Sequence, residues 1–244
     1  MSKLNGGIIG PDNVPTGAFG SASGVWSLSD VTNYKKQGTW PVALSGHQVA
    51  NSLRFNDGSS DYLIRTPSSA SNKDLWTLSF WIKRSTLGTS QSIYGVYADS
   101  NNQETLAFDS NDKLYWQLYQ SGGVVGQLTT NRLFRDTSAW YHIVCAVDTT
   151  DSTADNRIKI YVNGVQETSF STSSNPSQNF DTGFNQASTT RIGLASNGTS
   201  GPFDGYMAEF NFIDGQALTP SSFGETNAET GQWNPKKYTG SYGT

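Results

Sequence analysis

The chain has 244 residues and a formal net charge of −4, a balance that argues against electrostatic capture of nucleic acid or of an anionic membrane. Charged residues make up 15% of the chain and aromatic residues 12%, a composition typical of extracellular or virion β-proteins with ring-rich cores. The single cysteine excludes an intrachain disulfide, and no apolar run is long enough for a secretion signal or a membrane span.

Residues 1–45 are predicted to form an extended arm with one short helix. Pro11 and Pro15 favour extended chain, whereas Ser29 suits a helix start and Gly38 suits a helix end. The element has more apolar surface than so short a helix can bury, so we predict that it docks onto a partner or mediates assembly. A cover for a sheet edge is the alternative. The apolar residues concerned are Trp26, Leu28, Val31, Tyr34 and Trp40.

Residues 46–224 carry the alternating pattern of many short β-strands and no long helical period. In the segment 75–84, the even-numbered residues Trp76, Leu78, Phe80 and Ile82 fall on one face. Asn163 and Gly164, between two apolar runs, predict a tight hairpin. This pattern predicts a two-sheet sandwich or a barrel. Residues 225–244 are a polar tail dotted with aromatic residues, to which we assign no secondary structure.

A histidine and the only cysteine share one predicted strand, which raises the question of a nucleophilic site. His142 and Cys145 stand three residues apart, and side chains at that spacing on a strand point to opposite faces. They therefore cannot form a nucleophile–base pair. We interpret His142 as a structural histidine with satisfied hydrogen bonds and Cys145 as a small buried thiol.

Several segments follow one another as in concanavalin A-like lectin/glucanase domains and most closely resemble the laminin-G/pentraxin-like branch. They are residues 52–63, 78–84, 140–144, 160–164, 191–193 and 203–210. The resemblance implies an all-β fold, a two-sheet antiparallel jelly-roll sandwich over residues 46–224.

Two further segments, residues 24–28 and 218–225, are similar to structural proteins of tailed bacteriophages, usually tail fibre or virion proteins. That similarity implies a location on the phage particle surface or tail, other virion proteins as partners, and a homo-oligomer, most commonly a trimer. Such relatives often continue beyond the segment that ends this chain at Thr244, which leaves open whether the polypeptide is longer.

Catalysis is not expected from the acidic residues. Glycosidases need two carboxyl groups across the scissile bond, and the glucanase branch of this fold carries them in a Glu-x-Asp-x-x-Glu pattern that is absent here. No two of the 20 acidic residues stand two apart, so no strand places two carboxylates side by side on one face. We therefore predict a protein that is not an enzyme and keep a glycoside hydrolase as the third interpretation.

Sugar binding is the preferred interpretation, because sugar rings stack on exposed aromatic rings and hydrogen-bond to amides. We expect a virion structural protein whose lectin-like domain recognises a host surface glycan, with weak sites combined by avidity. A capsid or tail decoration protein without a ligand is the alternative, in which the same rings pack in the core or between subunits. The candidate glycan-binding residues are Trp81, Tyr94, Tyr97, Trp116, Tyr119, Asn101, Asn102 and Gln117.

Calcium is the cofactor that the resemblance suggests, since laminin-G and pentraxin-like domains often hold it in loops. The segments 99–104 and 148–156 offer Asp and Asn oxygens, which suit a hard cation. The same residue types are the ordinary residues of turns, and neither loop is dense enough in ligands to be a dedicated site. No cofactor is required by the sequence, and the metal stays unassigned.

Overall fold

The computed structural model describes residues 47–227 and 231–243, together with Thr32 and Lys36, which are helical. The chain divides into two compact units, Met1–Gln48 and Val49–Thr244. Apart from Thr32 and Lys36, the predicted arm 1–45 lies outside the described residues, and so do its docking residues Trp26, Leu28, Val31, Tyr34 and Trp40.

The second unit is a sandwich of two antiparallel sheets, as the strand pattern predicts. The strands are β1 Leu53–Phe55, β2 Leu63–Arg65, β3 Leu75–Arg84, β4 Gln91–Asp99, β5 Asn102–Phe108, β6 Lys113–Gln120, β7 Gly123–Leu133, β8 Tyr141–Asp148, β9 Ile158–Val162, β10 Val165–Gln166, β11 Phe170–Ser174, β12 Thr189–Ile192, β13 Gly205–Asp214, β14 Gly224–Thr226 and β15 Trp233–Pro235. Sheet I has six strands in the order β1-β13-β3-β8-β9-β10, and sheet II has seven in the order β11-β7-β6-β5-β4-β12-β2. The hairpin β14-β15 and two short 3₁₀ turns, Ala154–Asn156 and Pro220–Ser222, complete the described elements of this unit.

The core lies between the two sheets and is filled by the alternating rows. The predicted row of β3 is buried throughout, and Ile143, Cys145 and Val147 of β8 continue it. Opposite them, sheet II contributes Leu106, Trp116 and Leu118. Cys145 is therefore the buried thiol that its apolar run indicates, and burial raises its pKa well above the ordinary range.

The outer face of sheet I is covered as well, which the sequence did not indicate. Thr77, Ser79 and Trp81 point away from the core row, and all three are buried. A second apolar cluster lies there, in which Val144 and Ile213 of the sheet pack against Phe223 of the C-terminal region. Both faces of β3 are buried for this reason.

Residues 231–243, in the segment to which the sequence analysis assigned no secondary structure, include strand β15 and pack on the sandwich. Trp233 lies across two glycines: a Cβ at Gly164 would come within 2.7 Å of the indole, and one at Gly224 within 2.4 Å. Gly164 also has a φ of +83°, so the predicted Asn163 and Gly164 hairpin turn serves as a seat for the ring as well. The tail thereby becomes part of the sandwich.

Candidate functional site

Three of the predicted sugar-binding rings are buried, which is the alternative in which the rings serve packing. Trp116 is 1% exposed and lies 5.6 Å from Trp76 between centroids. Tyr94 is 8% exposed and stacks on Phe184. Trp81 is also 8% exposed, because the C-terminal region covers its face of sheet I. Strand alternation separates the two faces of a strand but does not reveal which of them is covered.

Other predicted residues do share a surface, on the outer face of sheet II. Tyr97 pairs with Gln103, which pairs with Tyr119 on the next strand, so the three side chains project on one side. Gln117 lies on the same face and donates from Nε2 to Gln127 Oε1 at 3.0 Å. The outer face of sheet II therefore carries a group of tyrosine and amide side chains here.

The two predicted asparagines belong to a turn instead. Asn102 Nδ2 donates to both carboxylate oxygens of Asp99 at 3.0 Å, and its Oδ1 accepts the Ser121 backbone N–H at 3.2 Å. The backbone N–H of Asn101 also donates to Asp99. Hydrogen bonds from Asn102 and from the Asn101 backbone lower the pKa of Asp99. The amide of Asn102 is therefore committed to holding the turn.

A depression of about 340 Å³ on the outer face of sheet I is lined by aromatic rings and amides, the residue types expected of a sugar-binding site. We call it the tryptophan pocket. Three indoles line it, from β3, from the segment before β8 and from β15, and amides from both ends of the unit complete it. The lining residues are Val49, Ala50, Asn51, Ser52, Trp81, Trp140, Ala208, Gln232, Trp233, Asn234 and Pro235.

His142 holds two of these indoles in place. It stacks on Trp81 with centroids 4.9 Å apart, and its Nδ1 accepts the Trp233 Nε1–H at 2.9 Å. Since Nδ1 is an acceptor, the proton of the neutral ring sits on Nε2, which lies 2.9 Å from Ser79 Oγ. Burial lowers the pKa of His142 to about 4. The prediction of a structural histidine with satisfied hydrogen bonds is confirmed.

The tryptophan pocket presents apolar ring surface and neutral hydrogen-bonding groups. Trp140 is the most open of its rings, at 36% exposed. Trp81 Nε1 has no hydrogen-bond partner among the described residues, and none of the lining residues is charged. Its volume lies within the range of about 300–1,000 Å³ found for small-molecule sites. The arrangement suits an uncharged ligand with both apolar faces and hydroxyl groups.

Sequence reasoning found Trp81 but missed Trp140 and Trp233. Trp140 was assigned to the row of His142, Val144 and Ala146 and was not considered for sugar binding, and Trp233 lies in a segment without periodicity. The available signal was compositional: two large rings in polar surroundings, with asparagine and glutamine beside Trp233.

The carboxylates of the acidic loop 148–156, considered for calcium, already accept hydrogen bonds from the protein. Asp148 Oδ1 accepts the Thr150 N–H and hydroxyl, Asp151 Oδ1 accepts the Thr153 N–H, and Asp155 Oδ1 accepts from Asn175. Within residues 47–227 and 231–243, no three His, Cys, Asp or Glu side chains gather in a way that could hold a metal ion. The metal remains unassigned.

Glu104 is the most perturbed carboxyl group of the described region. It is 2% exposed, and burial raises its pKa to about 8 although the Gly183 and Phe184 backbone N–H groups favour the ionised form. Oε1 accepts the Gly183 N–H, Oε2 has no described hydrogen-bond partner, and the residue borders a cavity of about 20 Å³. The cavity has room for about one water molecule. Since Glu104 accepts the Gly183 N–H, we interpret it as an anchor for the 180–186 loop.

The fold and the pocket define a lectin-like β-sandwich protein. Residues 57–222 match the laminin-G family model that is described as the concanavalin A-like lectin/glucanases superfamily. Because the match covers more than half of the chain, the protein belongs to this family. A search of curated protein sequences finds no match. No helix among the described residues has the length and apolarity needed to cross a membrane.

Solved structures with a similar fold come from several sources. A heptameric SAP-like pentraxin from Limulus polyphemus is 17% identical over 69% of this chain and 77% of that one, with a TM-score of 0.47. Mouse laminin α1 domains LG4–5 are 15% identical over 71% and 44%, with a TM-score of 0.49. The Ruminococcus gnavus IT-sialidase CBM40 bound to α2,3-sialyllactose is 11% identical over 65% and 95%, with a TM-score of 0.44.

Proposed function

We propose that this chain is a non-enzymatic carbohydrate-binding protein whose tryptophan pocket takes an uncharged part of a glycan. The observation that carries the proposal is the grouping of Trp81, Trp140 and Trp233 around one depression lined by amides and by no charged residue. Indole faces bind the C–H surfaces of sugar rings, while Asn51 and Asn234 have groups that donate to and accept from hydroxyls. A partly desolvated pocket strengthens such hydrogen bonds relative to open water.

The setting that we propose is the surface or tail of a tailed-phage particle, where the domain recognises a host surface glycan. The support is the similarity of residues 24–28 and 218–225 to structural proteins of such phages. A homo-oligomer, with a trimer favoured, and other virion proteins as partners belong to the same proposal. Several identical sites on one particle would give tight attachment from individually weak contacts.

One carboxyl pair bears on the hydrolase alternative. Asp74 has a raised pKa, first because of burial and next because the Asp181 carboxylate lies nearby. Asp181 is already paired with Lys73, and neither acid lines the tryptophan pocket. The pair therefore lies apart from the proposed binding site, which supports a protein that binds without cleaving. Release of reducing sugar from a bound glycan would contradict this part of the proposal.

Trp140→Ala is expected to weaken glycan binding about tenfold or more, which corresponds to about 1.4 kcal/mol. The substitution removes the most open indole while leaving the buried rings, so the fold should stay intact. The measurement is binding of the full chain to a printed array of neutral and acidic oligosaccharides, followed by calorimetric titration of the oligosaccharide with the strongest signal.

Tyr119→Ala is the matched aromatic control, since Tyr119 lies on sheet II. Its loss should leave the affinity within about twofold. Binding that is lost with Tyr119→Ala and kept with Trp140→Ala would move the site to the outer face of sheet II. Absence of any array signal would favour a decoration protein without a ligand.

A further inference from the structure

A second and larger recess opens along one edge of the sandwich, between β2 and β12 of sheet II and β13 of sheet I. We call it the edge groove. Its volume is about 760 Å³, about twice that of the tryptophan pocket, and it lies within the range of small-molecule sites. Strands of both sheets, the 67–71 loop and the described end of the chain supply its walls.

The floor of the edge groove is aromatic. Phe210 and Phe212 are only partly buried, and both border the groove. Phe210 stacks on Phe80 with centroids 5.4 Å apart, and Phe212 stacks on Trp76 at 5.3 Å. Because these stacks fix the two rings from the core side, the groove has a rigid apolar floor, and a ligand would not have to order it on binding.

A buried carboxylate stands at one end of this floor. Asp214 is 9% exposed and borders the groove. Its Oδ1 accepts the Asn72 N–H at 3.2 Å and Asn185 Nδ2 at 2.7 Å, whereas Oδ2 accepts no hydrogen bond from the described residues. A carboxylate oxygen held in this way is a strong acceptor for a ligand hydroxyl. Thr190 and the serines of the 67–71 loop add hydroxyls around the opening.

We propose that the edge groove is a second saccharide-binding site, which takes a glycan segment longer than the tryptophan pocket can hold. The inference shares with the proposed function only the class of ligand. The floor of Phe210 and Phe212 receives the apolar face of a sugar ring, and Asp214 Oδ2 accepts from its hydroxyls. The two sites differ in charge, since the groove is lined by Asp214 and Arg65, whereas no charged residue lines the pocket.

Amide chemical shifts of the isotope-labelled full chain test the proposal. The probes are the array oligosaccharides that give the strongest signals, together with the neutral trisaccharides cellotriose and maltotriose. We expect saturable shifts at residues 64–71, 185, 190 and 210–214, separate from those at 49–52 and 232–235. Asp214→Asn keeps the Oδ1 acceptor and replaces Oδ2 by a donor. It should weaken binding at the groove about tenfold and leave the pocket affinity within about twofold.

Two further variants separate the outcomes. Ser69→Trp fills the mouth of the groove from an exposed loop position and should abolish the groove shifts even if Asp214→Asn affects folding. Asp155→Asn is the matched charge control, because Asp155 is exposed and does not line the groove, and it should change nothing. Groove shifts that survive both Asp214→Asn and Ser69→Trp overturn the inference.

The two proposals can fail independently. Shifts confined to the pocket overturn the groove inference alone, whereas shifts confined to the groove overturn the pocket and leave the inference standing. No shift at either surface overturns both. If Ile64→Asp at the groove wall changes the oligomeric mass of the protein in light scattering and leaves every glycan response unchanged, the edge groove is a contact between copies of the chain, and the inference fails.

Discussion

Asp112→Ala is expected to lower the free energy of unfolding by about 3–5 kcal/mol, because it leaves a buried arginine without its counter-charge. The side chain of Arg84 is 0% exposed and that of Asp112 is 6% exposed, with Arg84 Nη1 3.1 Å from Asp112 Oδ1. The same oxygen accepts the Gly88 N–H at 2.8 Å. Burial would raise the pKa of Asp112, but the hydrogen bonds from Gly88, Arg135 and Arg84 outweigh it and lower the pKa.

The guanidinium of Arg84 has few other partners. Burial lowers its pKa, against the opposing effect of Asp112. Arg84 Nη1 also donates to the Phe134 carbonyl, and the group lies 4.3 Å over the ring of Phe108, while Nε has no described partner. Once the carboxylate is removed, the charge stays in the protein with the Phe134 carbonyl, the Gln91 amide oxygen at 3.4 Å from Nη2 and one ring to stabilise it.

Urea unfolding of the wild type and two comparison variants measures this effect. Arg135 is the second arginine paired with Asp112, and its side chain is 58% exposed. Arg135→Gln should therefore lower the free energy of unfolding by under about 1 kcal/mol. Asp112 has a left-handed backbone, with φ of +66°, which asparagine tolerates. The loss of unfolding free energy for Asp112→Asn should therefore fall between those for Arg135→Gln and Asp112→Ala. A loss below about 1 kcal/mol for Asp112→Ala would show that the ion pair contributes little.

His142 should make stability fall by about 3 kcal/mol as the pH drops from about 6.5 to about 4. Its folded pKa lies below the unfolded value, so in this window the unfolded chain binds a proton that the folded chain refuses. The contribution is complete above the unfolded pKa and is lost as the pH falls towards the folded one. Protonation at Nδ1 would also remove the acceptor for Trp233, so release of the C-terminal region should accompany the loss.

Glu104 changes the stability with pH in the opposite direction over part of this range. Its folded pKa, about 8, lies above the ordinary value of 4.5, so its contribution is complete below the unfolded pKa and is lost as the pH rises towards 8. The effect of His142 is therefore isolated by comparing the urea-unfolding curves of the wild type and His142→Gln between pH 4 and 7. His47→Gln, at the other histidine, is the matched control. Equal pH slopes for the wild type and His142→Gln would contradict the assignment.

The strand rows were predictable because burial and alternation agree along them. Trp76, Leu78, Phe80 and Ile82 share a parity, and the structure buries all four. Asn163 and Gly164 predict their turn by residue type alone. These signals are local, so a single sequence contains them.

The site was less predictable, because its walls depend on contacts between distant parts of the chain. Trp81 and Trp116 both sit on alternating strands, and nothing local reveals that the C-terminal region covers one of them and sheet I the other. Trp233 is positioned by Gly164, Gly224 and His142, up to 91 residues away. Such packing leaves no periodic trace in the segment that contains Trp233.

The matched family region, residues 57–222, contains most of both sheets but only three of the residues around the tryptophan pocket. The remaining wall residues belong to the flanking stretches 49–52 and 232–235. Under the proposed function, a change in the flanks of this sandwich would alter what it binds, while its interior and its match to the family stayed the same. Relatedness over the central region is thus a poor guide to shared ligand preference, and the ends of each chain are the place to look for it.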